Sequence, residues 1–448
     1  MQSPEQARKI AERLVEQGIA AGATAADALY AADRSSMVQV RLGETESVSR
    51  SEGEQIGLRL FLGQRSATVA SSDLSGEALG VLVERCLAMA REAPEDPYAG
   101  LAPPALLQNG ETPSVDGYDP REPDPAELRA RALEAEQAGR AVEGVTNSSG
   151  AGASASASTI ALATSGGFSG AYSTSGHACG ADMVAGEGGS MQRDHEYHSV
   201  RHQEDLESAA AIGRRAGERA VARLNPTRPK AGKYPVIFDP RVSSGLLGHL
   251  AGAINGSSVA RKTSFLRDKL GTPVFDKGVT IVDDPLRLRG LRSRPFDGEG
   301  VRVSRQELVS DGILNQWIAD SAAARQLGIE PTGHAARGVG GAPGASPSNL
   351  YMEAGSRTRE ELLASVPEAV LVIELIGQGV NGVTGDYSRG AVGFMVRGGE
   401  IAEPLAEITI AGNLIDMFAT LEPASDLEFR RAIDAPTILV PEMTVAAA

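Results

Sequence analysis

Aromatic side chains make up only 4 % of this 448-residue sequence, with a single Trp, and cysteine occurs twice. So few rings argue against cores built on large aromatics. With 52 glycines in the chain, the balance favours close-packed backbone, tight turns and small-residue helices. Cys86 and Cys179 are too few to frame a chain of this size with disulfides, which points to a reducing cytoplasm. No apolar run approaches the ~18 residues that a membrane span needs, and the best one, 370–376, is broken by Glu374. The opening MQSPEQARKI lacks the apolar stretch of a secretory signal. Positive charge is in deficit, with 43 Lys and Arg against 58 Asp and Glu, a net charge of −15. Such a field repels phosphate and argues against nucleic acid as a partner.

The length suggests more than one core. Residues 4–22 read as an amphipathic helix with Ala7, Ile10, Leu14 and Ile19 near one face. Alternating stretches at 37–42 and 56–69 read as antiparallel strands, and 75–91 and 125–143 as helices. Residues 93–125 hold many prolines and no period, and are expected to be a long surface excursion. The Ser/Gly/Ala-rich segment 148–175 resembles a linker in composition, yet Ile160, Leu162 and Thr164 alternate within it. Thin strands approached closely by another backbone are therefore expected. A helix over 203–224 has a small-residue stripe of Leu206, Ala210, Gly213, Ala216 and Ala220. Two prolines and a glycine at 225–233 then mark the best boundary, dividing the chain into 1–225 and 226–448.

Three places could carry chemistry. In DHEYHSVRH (194–202), a helix would stack His195, His198 and His202 as a three-histidine metal site. A strand would point His195 away from the other two, and Tyr197 and Val200 favour the strand. After Phe238, Asp239 is a good N-cap and Pro240 suits the first helical position. The helix that follows places His249 on its apolar stripe, where the plain reading is a packed, hydrogen-bonded histidine. In GDYSRG (385–390), Asp386 and Arg389 read either as an ion pair in a tight turn or as contacts to a peptide terminus. GVGGAPG (338–344) lacks the Lys-Ser/Thr of a phosphate-binding loop, and no nucleophile elbow occurs.

The runs GHLAGAINGSSVARKTSFLRDKLG (248–271), RPFDGEGVRVSRQELVSDGIL (294–314), GQGVNGVTGDYSRGAVGF (377–394), EITIAGNLIDM (407–417) and MQRDHEY (191–197) resemble the PmbA (TldE) branch of the TldD/PmbA family. The resemblance implies an α+β fold, with an N-terminal α+β domain and a C-terminal domain on a curved, largely antiparallel sheet. It also implies a metalloprotease complex in which a TldD-type subunit carries a zinc-like metal on a His-Glu-x-x-x-His helix plus a later Cys. On this chain that helix falls at 244–249, where Ser244 and Gly245 replace the first His and the Glu and only His249 remains. No Cys follows residue 179. The resemblance thus implies a subunit with no metal or catalytic residues of its own, paired with a TldD-type chain and acting on small or unfolded peptides. His195, His198, His249, Asp386 and Arg389 are its groove-lining or structural residues, and self-association of the isolated chain stays open. Two other readings are an independent metalloprotease using His195, His198 and His202, and a regulatory protein-binding factor of the gyrase-modulator type.

Overall fold

The computed structural model describes residues 1–447. Ser3 caps α1 (Pro4–Ala20) in a reciprocal box with Gln6. The inner face of α1 is Ala7, Ala11, Leu14, Val15 and Gly18, and Ile19 is exposed. The expected stripe is rotated because the helix lies close to the sheet. A Cβ on Gly18 would stand 2.5 Å from a Leu60 methyl.

The sheet beneath α1 is six-stranded and antiparallel throughout. Its strands are β1 (Ala25–Arg41), β2 (Glu44–Leu62), β3 (Arg65–Ser71), β4 (Val145–Thr164), β5 (Ser169–Ala185) and β6 (Gln192–Val200), in the order β3-β2-β1-β4-β5-β6. The Ser/Gly/Ala-rich segment is therefore β4 and the start of β5. Ala151, Ala153, Ala155 and Ala157 are buried in alternation, the period-2 signature of a half-buried strand.

Two helix pairs sit side by side on one face of this sheet. α1 and α2 (Gly76–Glu92) cover Tyr30, Ile56, Leu58 and Leu60. α3 (Pro125–Arg140) and α4 (Ala209–Ala222) cover Val38, Val40, Cys179 and Met183. A Cβ on Gly213 would fall 1.8 Å from the Ala135 carbonyl oxygen, so the α3–α4 contact admits only glycine there. α4 begins six residues later than 203. The Gln203 and Glu207 amides are drawn to Asp119 and to His198 Nδ1, and Ser208 is the residue that caps the helix.

The remaining sheets use residues from β7 (Gly232–Phe238) onward. β8 (Glu368–Ile376), β9 (Asp386–Arg397), β10 (Glu400–Asn413) and β11 (Ile438–Ala447) join β7 in the order β10-β9-β8-β7-β11. β10 also pairs with β11, which closes the sheet on itself. Only the β7–β8 pairing is parallel in this ring. A smaller sheet of short strands (Gln306–Ser310, Ile313–Leu314, Ile281–Asp283, Leu350–Met352, Ile433–Asp434) lies beside it. The architecture is α+β, with no doubly wound parallel sheet among the described residues. No described helix is long and apolar enough to cross a membrane.

The second half of the chain lies on the face of the first sheet opposite its helices. Phe296 makes edge contacts with Phe168 and Tyr172, at centroid distances of 4.8 and 5.3 Å. The glycine-rich 338–344 segment crosses β2, where a Cβ on Gly57 would stand 1.7 Å from the Val339 carbonyl oxygen. Beside it, Asp27 is fully buried between the guanidinium groups of Arg59 and Arg337. Burial alone would raise the Asp27 carboxyl, but these two cations outweigh it and hold it below the usual carboxylate range. Glu299, 4.0 Å from Arg59, accepts from the amide and hydroxyl of Ser321. Burial, with Asp297 nearby, pushes Glu299 up to about 7.

Candidate functional site

The residues that could carry chemistry in the C-terminal half are set by one helix and one strand. Asp239 accepts from the Arg241 amide and Pro240 occupies the first turn, which starts α5 (Pro240–Ala253) directly after β7. Ser243, Leu246, Leu247, Leu250, Ala251 and Ala253 form the buried face of α5. The opposite face presents Gly245, Gly248 and Gly252, and a Cβ on any of the three would meet nothing within 4 Å. Ser244 is half-buried and Gly245 exposed. Position 245 therefore has room for a side chain, and what it lacks is a functional group.

His249 is half-buried and packs edge-on against Tyr387 of β9, with ring centroids 5.9 Å apart. The expected hydrogen bond is not there, since neither ring nitrogen has a partner among the described residues. Packing against the ring, rather than a polar contact, fixes the imidazole. Burial lowers the His249 pKa, and the Arg389 charge lowers it further, so the ring is neutral near pH 7. Tyr387 is 2 % exposed with an unpartnered hydroxyl, and burial pushes its phenol up to about 12. Arg389 donates to the Ile376 carbonyl across 3.3 Å.

Asp386 does not pair with Arg389. It accepts from the Thr384 hydroxyl and from Asn413 Nδ2. Side chains three apart on a strand point to opposite faces, so the ion-pair expectation fails on strand geometry.

The three histidines of the 194–202 run do not converge either, because 192–200 is a strand. His195 is exposed and stacks on Tyr197 at 6.3 Å. His198 turns inward, and its Nδ1 accepts from the Glu207 amide at 3.2 Å. His202 lies past the strand end with Nε2 2.9 Å from the Asp116 carbonyl oxygen. The reading of an independent metalloprotease built on these residues is corrected by this geometry. The same strand turns Asp194 and Glu196 inward, onto Arg241 and Arg219.

A metal would find a poor ligand set at α5. One neutral imidazole stands beside a guanidinium and a buried phenol, with no carboxylate or thiolate facing it. Among the described residues, no group of three or more His, Cys, Asp or Glu side chains is placed to hold an ion. A catalytic zinc site needs about three protein ligands, so the residues present do not fit one.

The open face of the long sheet forms a second concave surface. Met37, Gln39, Gly152, Ser154, Gly180 and Tyr197 line a hollow of about 260 Å³. Its floor is mostly backbone and small side chains, as the sequence led one to expect of 148–175. Sequence reading missed the Asp27–Arg59–Arg337 cluster, although a charged residue inside the apolar run AADALYAA (25–32) is a signal that could have found it.

Comparison with known proteins gives a consistent result. Three family models match in order: PmbA/TldA metallopeptidase domain 1 over residues 26–90, the central domain over 118–224 and the C-terminal domain over 231–447. The chain is 38 % identical to the metalloprotease PmbA of Escherichia coli O157:H7, covering 91 % of this chain and 89 % of that one. It is 36 % identical to a PmbA homologue of Haemophilus influenzae, covering 96 % and 94 %. A crystallised Bacteroides thetaiotaomicron protein, whose name refers to modulation of DNA gyrase, superposes with a TM-score of 0.92 at 25 % identity over 100 % of both chains. TldE from Thermococcus kodakarensis shares the fold, with a TM-score of 0.87 at 21 % identity over 97 % of this chain and 99 % of that one.

Proposed function

The chain belongs to the PmbA/TldA metallopeptidase family, and from that premise we propose that it is the TldE-type, non-catalytic subunit of a cytoplasmic two-chain peptidase. A TldD-type partner would supply the metal and the general base, and this chain would help enclose and present small or unfolded peptides. In this reading 1–225 and 226–448 are the two working units of the subunit.

One observation carries the proposal. The open face of α5 offers three glycines and a single neutral histidine where a hydrolase needs a carboxylate and several metal ligands. The glycine- and serine-lined hollow of the long sheet adds support, since an extended peptide can approach a backbone surface without many side chains in the way. Net charge of −15 favours a protein or peptide partner over nucleic acid.

The test is co-expression with a TldD-type chain. Peptide cleavage and bound metal are then measured for each chain alone and for both together. The expected result is cleavage by the pair, with metal assigned to the partner. Cleavage by this chain alone, together with about one metal per chain, would overturn the proposal.

A further inference from the structure

β2 is 19 residues long, and β3 pairs with it only over Ile56–Leu62. The stretch 44–54 is therefore paired with β1 on one side and, among the described residues, with no strand on the other. The direction of its main-chain groups follows from the far side of β1. The Ser165 amide donates to the Ala26 carbonyl, and the Ala26 amide donates to Ser165 Oγ. Even-numbered residues of β1 thus turn their N–H and C=O toward β4, and odd-numbered ones toward β2. Through the register Asp33↔Gly53, Ser35↔Ser51 and Met37↔Ser49, those three β2 residues turn inward. Val48, Arg50, Glu52 and Glu54 turn theirs to the open edge. Such an edge is a template for a further strand.

Charge along this edge is one-sided. Glu44, Glu46, Glu52 and Glu54 stand against Arg50 on the strand, and all but Glu54 are fully exposed. Glu44 and Glu46 form no ion pair among the described residues. Glu52 takes the Met1 amino group at 3.0 Å, and Glu54 accepts from the Tyr30 hydroxyl. From β1, Arg34 lies opposite Glu52 and is paired with Glu122, while Asp33 lies opposite Gly53. On the other face of the strand Ser47, Ser49, Ser51 and Gly53 are small and exposed. An incoming strand meets no bulky side chain there.

A second copy of the chain fits this edge poorly. The two-fold pairing that sets Arg50 against Glu52 of the copy also brings the copy's residue 46 opposite Ile56, where Ser71 of β3 already pairs. Sliding the copy clear of Ser71 sets Glu46 against Glu52 and Glu44 against Glu54, like charges directly opposite one another. A free peptide has no hairpin behind it and escapes this constraint. We propose that the open edge of β2, residues 48–54, binds an unfolded peptide as an added strand and selects peptides with basic side chains at alternate positions. The choice of an unfolded peptide as occupant rests on the peptidase reading, whereas binding itself needs neither the metal nor the partner chain.

The test titrates the full chain with an end-blocked nonapeptide of alternating Thr and Lys, followed by calorimetry. One control replaces Lys by Glu, and the other keeps every Lys but replaces the inner Thr residues by Pro, which removes main-chain donors at constant charge. Saturable binding of the Thr/Lys peptide, with both controls weaker by about tenfold or more, is the expected result. Hydrogen exchange should slow within 48–54 when the peptide is added. Glu44→Lys combined with Glu46→Lys should weaken binding by about tenfold through lost cross-strand charge pairs, and the melting temperature of the free variant is measured alongside so that a folding defect is recognised. The proposal is overturned if the Thr/Lys peptide does not bind saturably, if either control binds equally, or if protection falls outside 48–54. Protection of 48–54 on concentrating the chain without peptide would give the edge to a second copy and overturn it as well. Binding is read on this chain alone and cleavage on the two-chain complex, so failure of this proposal is told apart from failure of the peptidase reading.

Discussion

Glycine does opposite things in two regions of this molecule. At the junction between the long sheet and the 338–344 segment, Gly57 is a point of contact, since any Cβ would collide with the Val339 carbonyl. On the outer face of α5, Gly245, Gly248 and Gly252 touch nothing. The junction is buried and charged, with Asp27 fixed by two arginines. The α5 face is open and carries little chemistry beyond His249. A residue type that looks uniform in composition is thus structural in one place and leaves a vacant surface in the other. Only the neighbours decide which.

The contrast breaks most readily at the junction. Asp27→Ala would leave Arg59 and Arg337 buried without their shared partner and should destabilise the fold by roughly 3–5 kcal/mol. Denaturant unfolding measures this, and a loss under 1 kcal/mol, the scale of an exposed pair, would mean that the cluster is hydrated. Gly57→Ala comes next. It forces backbone against backbone and should cost roughly 1–3 kcal/mol or more, measured in the same way.

Glu299 adds its own pH dependence to the junction. Its folded pKa, about 7, lies above the ordinary value of 4.5. The folded state therefore holds the proton more tightly, and the contribution of Glu299 to stability is full below the ordinary value and is lost as pH rises through about 7. Glu299→Gln should remove that part of the slope. Melting temperatures of both forms across the window would show it, and parallel curves would exclude Glu299 as the source.

The α5 face should give the smallest effects. His249→Ala loses an aromatic edge contact and no hydrogen bond, so its cost should be on the order of 1 kcal/mol, with complex activity falling only as far as folding does. Lost turnover at an unchanged melting temperature would instead place His249 among substrate contacts. Gly245→Ala meets open space in a helix interior and should stabilise by about 1 kcal/mol. A destabilising result would show that something covers this face.

Much of the local structure was legible in the chain. Asp239-Pro240 announces a helix start through a cap that satisfies a free amide. Alternation of Ile160, Leu162 and Thr164 distinguishes strand from linker in 148–175, and Tyr197 and Val200 mark 192–200 as a strand, which separates the three histidines. The family resemblance implies that Ser244 and Gly245 stand where a TldD-type chain carries its first His and its Glu.

What the chain does not display is which residues from distant segments meet. The Asp386–Arg389 pairing failed because strand pleating outranks proximity in sequence. The helix expected from 203 starts at Ala209, because partners 84 and 9 residues away claim the amides of Gln203 and Glu207. Sequence alone determined much of the secondary structure and the cap at Asp239, since these depend on neighbours a few residues apart. The tertiary structure alone decided that Asp27 meets Arg337 across 310 residues and that the glycines of α5 face open space. Burial and charge pairing at those places arise only when separate segments are brought together, and no local pattern encodes that.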